Sequence, residues 1–222
     1  MTSWYHKLMS TILHVYVDFD FTLYNTKRFG GDLWQAIATA YRVPVAELSA
    51  DANDYNTHPI LGGYDFAAHM AAHGLDPAQM WEVLDTLRHE DYLYDDSATF
   101  IGRLRAEDYN PRILSFGEQR FQEAKIRPTL TTLTGDDPKA QHQCLDYEVV
   151  SRPKSEHLAD ILPGEHGVLV DDKPDQHLPP GFSEIHLDRG RILAKPLRKT
   201  DGYTVSDLMQ AYQVIQQLQT SV

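Results

Sequence analysis

Four groups of side chains in this sequence have types and spacings suited to chemistry, and each stands directly behind a short apolar run. The first is Asp18-Phe19-Asp20-Phe21-Thr22-Leu23. Two carboxylates two residues apart at a strand end lie close enough to share a divalent cation, and burial without one would be costly through their repulsion. As a bare string D-x-D-x-T is only moderately specific, and a pair of solvated turn aspartates is the plain alternative. The second group is Asp171-Asp172, with Asp175 four residues after the first. Joined to Asp18, these acids would supply the oxygen ligands that a hard ion such as Mg²⁺ requires. Alone, they would be a surface Asp-rich turn through Lys173 and Pro174. Ser115, followed by Phe116 and Gly117, and Lys154, within Arg152-Pro153-Lys154-Ser155-Glu156, complete the set. Taken singly, such a Ser is usually a helix cap and such a Lys a solvated side chain. A rival metal site, His69 and His73 at i, i+4, lacks the Glu of H-E-x-x-H because Met70 follows His69, so two ordinary helix histidines are expected there.

Apolar, β-branched runs that fit buried strands position these groups. They cover residues 11–17 (TILHVYV), 112–114, 147–150, 167–170 (GVLV) and 183–187 (SEIHL), and four of the five end in a polar residue. Helical patterns fill the intervals at 117–133, with Pro128 as an interruption, at 155–162, and at 205–218, where Thr204 or Asp201 would cap the helix. Such alternation predicts an α/β fold with a parallel sheet covered on both faces, in which ligands bind beyond the carboxyl ends of the strands. Residues 24–104 read differently. Leu33, Ile37 and Tyr41, then Phe66, Met70 and His73, then Met80, Leu84 and Leu87 repeat at helical spacing with no buried strand between them. About 80 residues of helix are therefore expected between the first two strands, too long for an ordinary loop. The core would then comprise residues 1–23 and 105–222.

A chain of 222 residues can bury a full core. Its net charge of −12, from 20 basic and 32 acidic residues, would repel polyphosphate backbones, so nucleic acid is a poor partner. An anionic substrate would need a local cation, from a Lys or a metal, inside the site. The one cysteine, Cys144, excludes an internal disulfide and fits a reducing compartment. The apolar run at 12–17 is too short for a membrane span, and no small-residue cleavage site follows it. The expectation is a cytoplasmic protein with no membrane partner, monomeric or homodimeric.

The order Asp18-x-Asp20-x-Thr22, Ser115, Lys154, Asp171-Asp172, each behind a strand, resembles the haloacid dehalogenase-like hydrolase superfamily. The likeness runs from about Ile12 to Asp175, and the insertion is similar to the helical cap of the superfamily's first subclass, set on a three-layer Rossmann-like core. This resemblance implies a Mg²⁺-dependent phosphatase acting on a small phosphorylated metabolite. Asp18 would form an aspartyl-phosphate, and Asp20 would serve as general acid and base, with its backbone carbonyl facing the metal. Thr22, Ser115, Phe116, Gly117 and Lys154 would hold phosphate, and Asp171, Asp172 and Asp175 would join Asp18 and Asp20 around Mg²⁺. The Val170 position, where many relatives carry Gly, is a mild departure. A dehalogenase is disfavoured, since those relatives lack the acid at the position of Asp20. A phosphomutase with the same nucleophile, or a silent scaffold for a protein partner, are the alternatives. Within the cap, Tyr55, Tyr64, Trp81, Tyr92 and Tyr94 are expected mostly to pack, some of them facing substrate.

Overall fold

The computed structural model describes residues 13–50, 52–55, 63–135, 145–173, 177–190 and 202–221. The expected strands form as β1 (His14–Val17), β2 (Arg112–Phe116), β3 (Tyr147–Val150), β4 (Gly167–Asp171) and β5 (Phe182–Leu187). A further strand, β6 (Tyr203–Val205), lies where the sequence pattern suggests the start of the last helix. All pair in parallel, in the order β3-β2-β1-β4-β5-β6.

The alternation of side chains along these strands builds a layer on each face. Val15, Val17, Val168 and Val170 point into the larger cluster, whereas Tyr16, Leu114 and Leu169 point the other way and meet Leu158 of α7 (Lys154–Ile161). The larger face is covered by α5 (Ser97–Ala106), α6 (Gln119–Thr134) and α8 (Leu208–Ser221). Pro128 lies inside α6, which continues through it. Glu118 caps α6, its carboxylate accepting from the backbone N–H groups of Arg120 and Phe121. The cap of α8 is Asp207, which accepts from the Gln210 N–H, rather than Thr204 or Asp201: β6 draws residues 203–205 into the sheet and moves the helix start beyond them.

Between β1 and β2 the chain is helical, as α1 (Thr26–Tyr41), α2 (Val45–Ala50), α3 (Phe66–Ala72), α4 (Pro77–Thr86) and α5. Asn25, Asp65 and Asp76 cap α1, α3 and α4 through their side chains. The expected periodic residues Leu33, Ile37, Phe66, Met70, Met80 and Leu84 are buried. The last helix, α5, packs Phe100, Ile101 and Leu104 against the sheet side, beside α6 and α8. The connections at the two ends of the insertion run side by side: Asn25 N–H donates to the Tyr92 carbonyl (2.7 Å), Tyr94 N–H to the Leu23 carbonyl (3.0 Å), and Ser97 Oγ to the same Leu23 oxygen (2.8 Å). No helix among the described residues is long and apolar enough to cross a membrane.

The apolar cluster runs unbroken from the sheet into α1, α3 and α4. Truncating the fully buried Ile37 to Ala is therefore expected to cost about 2–5 kcal/mol of unfolding free energy in urea, as one shifted transition. Two separated transitions would show that the insertion unfolds independently.

Candidate active site

The strand order reverses at β1 and β4: from β1 the chain steps outward to β2 and β3, and from β4 to β5 and β6. At such a switch point the loops leave in opposite directions and open a crevice beyond the carboxyl ends of the strands. Val17 is in register with Val170, so Asp18 and Asp171 emerge side by side, with the Asp18 N–H donating to the Val170 carbonyl at 2.8 Å. Asp18, Asp171 and Asp172 are all buried, and one carboxylate oxygen of each lies within 4.8 Å of the others.

Lys154, at the start of α7, enters the same space and is only 7% exposed. Its Nζ donates to Asp171 at 2.6 Å and to Asp18. Burial alone would lower the lysine pKa, but Asp171 and Asp18 outweigh it and hold the ammonium above its usual range. Asp18 is pushed up from 3.8 to about 8, by burial first and then by Asp171 and Asp172, against the pull of Lys154. Three buried acids facing one ammonium leave an excess of negative charge and spare oxygen donors, the donor set that suits a small hard divalent cation.

The turn after β1 shapes the rest. The N–H groups of Thr22, Leu23 and Tyr24 converge on the Phe19 carbonyl at 3.3, 3.0 and 3.0 Å. Phe21 takes a positive φ of 62°, unusual for a side-chain-bearing residue. This turn brings the Thr22 hydroxyl back to donate to the second oxygen of Asp18 at 3.1 Å. At the end of β2, Ser115 Oγ is buried without a hydrogen-bond partner. Behind it, Gly117 has φ +152°, and a Cβ there would sit 2.6 Å from Gln122 Nε2. The insertion reaches this loop directly, since a Cβ on Gly63 would come within 3.0 Å of the Gly117 Cα. Phe116 is partly exposed beside it.

Asp20 is placed differently from the other acids: its carboxylate lies outside the Asp18–Asp171–Asp172 group and turns to α6. Lys125 Nζ donates to both its oxygens at 2.6 and 2.7 Å, Gln122 Nε2 donates at 2.9 Å, and the Thr26 hydroxyl at 2.6 Å. Burial by itself would raise this carboxyl, but the Lys125 ammonium and the two neutral donors prevail and hold it below the usual range. In this position Asp20 is an ionised carboxylate and a weaker base than a free one, so it can give a proton only after the arriving substrate has charged it with one. Lys125, Gln122 and Thr26 are absent from the sequence-derived set. Their signal was a polar Gln122 and Lys125 on the face of α6 that also buries Ile126, Thr129 and Leu133.

Asp175 lies outside the described residues, as does Cys144. His69 is fully buried in an aromatic setting, stacked on Tyr55 at 4.6 Å, with the Tyr64 hydroxyl 2.5 Å from its Nδ1. Together with His73 it joins no cluster of three or more metal-ligating side chains among the described residues. Trp81 packs on Phe66 and lies under Arg120, and Tyr92 donates to Asp32. Tyr94 instead lines a cavity of about 640 Å³ beside Asp172, with Phe21, Asn25, Lys27, His186 and Arg189. There the Arg189 guanidinium lies 4.0 Å from the Tyr94 ring, held by Asp96 and the Thr22 carbonyl. A larger cleft of about 830 Å³ between α4 and α6 contains none of the residues around Asp18.

No family model and no curated protein matches this sequence. Solved structures do. A candidate haloacid dehalogenase-like hydrolase from Burkholderia xenovorans LB400 superposes with a TM-score of 0.67 at 17% identity, over 91% of this chain and 98% of its own. The candidate hydrolase YfnB of Bacillus subtilis, solved bound to magnesium and exhibiting interdomain movement, gives 0.57 at 13% identity, covering 92% and 99%. The L-2-haloacid dehalogenase of Xanthobacter autotrophicus gives 0.56 at 16%, covering 92% and 98%. The chain has the haloacid dehalogenase-like hydrolase fold. The six-stranded parallel sheet and the helical insertion between β1 and β2 match the architecture that the sequence order implied.

The raised Asp18 fixes the sign of a pH effect. Proton uptake by Asp18 adds stability to the ion-free fold at low pH, and this is lost as pH rises through about 8. A divalent cation competes with that proton. Mg²⁺ at about 100 times its dissociation constant contributes about 2.7 kcal/mol, or roughly 5–11 °C in melting temperature for a chain of this size. At a fixed Mg²⁺ concentration the rise should be larger at pH 8.5 than at pH 6, and Asp171→Asn should remove most of it.

Proposed function

We propose that this chain is a Mg²⁺-dependent phosphatase of small phosphomonoesters. The observation that carries the reading is the convergence of Asp18, Asp171 and Asp172 within 4.8 Å around the Lys154 ammonium, beside the unpartnered Ser115 hydroxyl. A phosphoryl group seated there meets a nucleophilic carboxylate on one side and donors on the other. Phosphoryl transfer depends chiefly on such positioning and charge stabilisation.

Asp18 attacks phosphorus to form an aspartyl-phosphate, while a proton that Asp20 has taken up with the incoming phosphate anion passes to the oxygen of the departing alcohol. Water then attacks the phosphoaspartate, giving up a proton to Asp20, and Asp18 leaves with the bonding pair. Mg²⁺, when held by Asp18, Asp171 and Asp172, with the Asp20 carbonyl and Asp175 as further ligands, offsets the charge between nucleophile and phosphate. Ser115 and the backbone N–H of Phe116 hold phosphoryl oxygens, whereas the Gly117 N–H, expected from the sequence to join them, instead donates to the Val150 carbonyl at 3.0 Å; Thr22 orders the nucleophile. The 640 Å³ cavity lined by Lys27, Tyr94, His186 and Arg189 is of a size for a small metabolite. Its hydrogen-bonding walls suit a polar leaving group. The insertion is the cap over this site, with residues 24–104 as its extent and α5 as its seam with the core. Closure would exclude water during attack.

Two structural neighbours are dehalogenases. Asp20 favours the phosphatase, because the resemblance associates that second carboxylate with protonating an alcohol, a step that halide departure does not need.

Asp18→Asn should lower Mg²⁺-dependent phosphate release from p-nitrophenyl phosphate by on the order of a thousandfold or more. Chelation by EDTA should abolish the release in the unaltered protein. Retained turnover in the variant would reject the nucleophile. Halide release from a 2-haloacid without phosphate release would reject the phosphatase, and silence on both substrate classes would favour a binding scaffold. Phosphate transfer within bisphosphorylated sugars would favour a mutase.

A further inference from the structure

Resting on the phosphatase reading, we infer that Lys125 is a positioning residue for the reaction, which fixes the Asp20 carboxylate in the place from which it exchanges protons with the leaving alcohol and the attacking water. Lys125 belongs to the second turn of α6 and is 3% exposed, a degree of burial rare for an ammonium group without a dedicated partner. That partner is Asp20, met through both oxygens at 2.6 and 2.7 Å. The ammonium also lies 5.0 Å from the Phe121 ring centre and 5.9 Å from that of Tyr24. Gln122, three residues earlier on α6, donates to Asp20 at 2.9 Å and to the Phe116 carbonyl at 3.2 Å. It thus ties Asp20 to the loop carrying Ser115.

Lys154 already serves Asp18 and Asp171, so the site holds two buried ammonium groups with separate duties. If Lys125 served stability alone, it would have no need to engage the one carboxylate that chemistry sets apart from the cation-binding acids. The chemistry balances with Lys125 as a spectator cation. A proton that Asp20 takes up as the phosphate anion enters passes to the ester oxygen as the P–O bond breaks. One from water returns to Asp20 as the new P–O bond forms and Asp18 departs. Lys125 keeps its charge throughout and defines only where the carboxylate stands.

The test is leaving-group dependence. kcat/KM reports the steps up to departure of the alcohol. An alkyl phosphate needs a proton at that point and 2,4-dinitrophenyl phosphate does not. Lys125→Met should lower kcat/KM about 100-fold for the alkyl ester, within the range of general acid catalysis, and no more than about threefold for the dinitrophenyl ester. Lys125→Arg should recover most of the loss, and Gln122→Ala should show the same pattern more weakly. In an Asp20→Asn background, Lys125→Met should cost nothing further, since coupled residues are not additive. An equal loss on both esters, an additive loss, or no loss would overturn the role. Should Lys125→Met fail to fold, Gln122→Ala and Lys125→Arg carry the test. Should the unaltered protein hydrolyse no phosphomonoester, the phosphatase reading falls, and crystal structures of Lys125→Met then decide the positioning. Displacement of the Asp20 carboxylate from α6 supports it, and an unmoved carboxylate overturns it.

Discussion

Three carboxylates held out of water around one ammonium are the constraint from which the rest of this structure follows. Removing charge from solvent costs several kcal/mol per ion even after relaxation, and one lysine cannot balance three acids. The fold tolerates the imbalance because Lys154 bridges two of the acids and Thr22 and the Lys173 N–H each bond one of them. The three acids together could hold a metal ion. Their grouping also separates two roles that look alike in sequence: Asp18 lies among like charges and is pushed towards its neutral form, whereas Asp20 lies among donors and is held ionised.

The parallel sheet makes that concentration of charge possible. A parallel register lets strands far apart in sequence end at one level, and the reversal of order at β1 and β4 clears space above them. Asp18 and Asp171 are neighbours because Val17 pairs with Val170, a relation fixed by backbone hydrogen bonds rather than by attraction between side chains. The apolar residues on both faces then lock the register, since a slip of one residue would turn Val15 and Val17 away from the larger cluster.

Much of this was legible in the sequence. Five strands, the insertion and the acids Asp18, Asp171 and Asp172 could be located from apolar runs and helical spacing, whereas Thr22, Ser115 and Lys154 stood out only through the resemblance of the motif order. The pattern was less informative where an element is short or sits at an edge. β6 has three residues, two of them exposed, and so carries no buried run to announce it. The donors around Asp20 were hidden for another reason. A lysine and a glutamine on an amphipathic helix read as solvated unless one knows which face the helix buries, and that is settled only by packing against the turn after β1. The polarity of the Asp20 environment was equally out of reach, because it depends on residues more than a hundred positions away.

The helices between β1 and β2 leave and rejoin the sheet through two adjacent segments laced together by the Asn25, Tyr94 and Ser97 bonds. Such a doubled stem brings both ends of the inserted block to one place on the scaffold, while its helices also share one apolar cluster with the sheet. Because the two ends are tied to each other, neither pulls on a strand independently, and the spacing of Asp18 and Asp171 is left to the register of the strands beneath them.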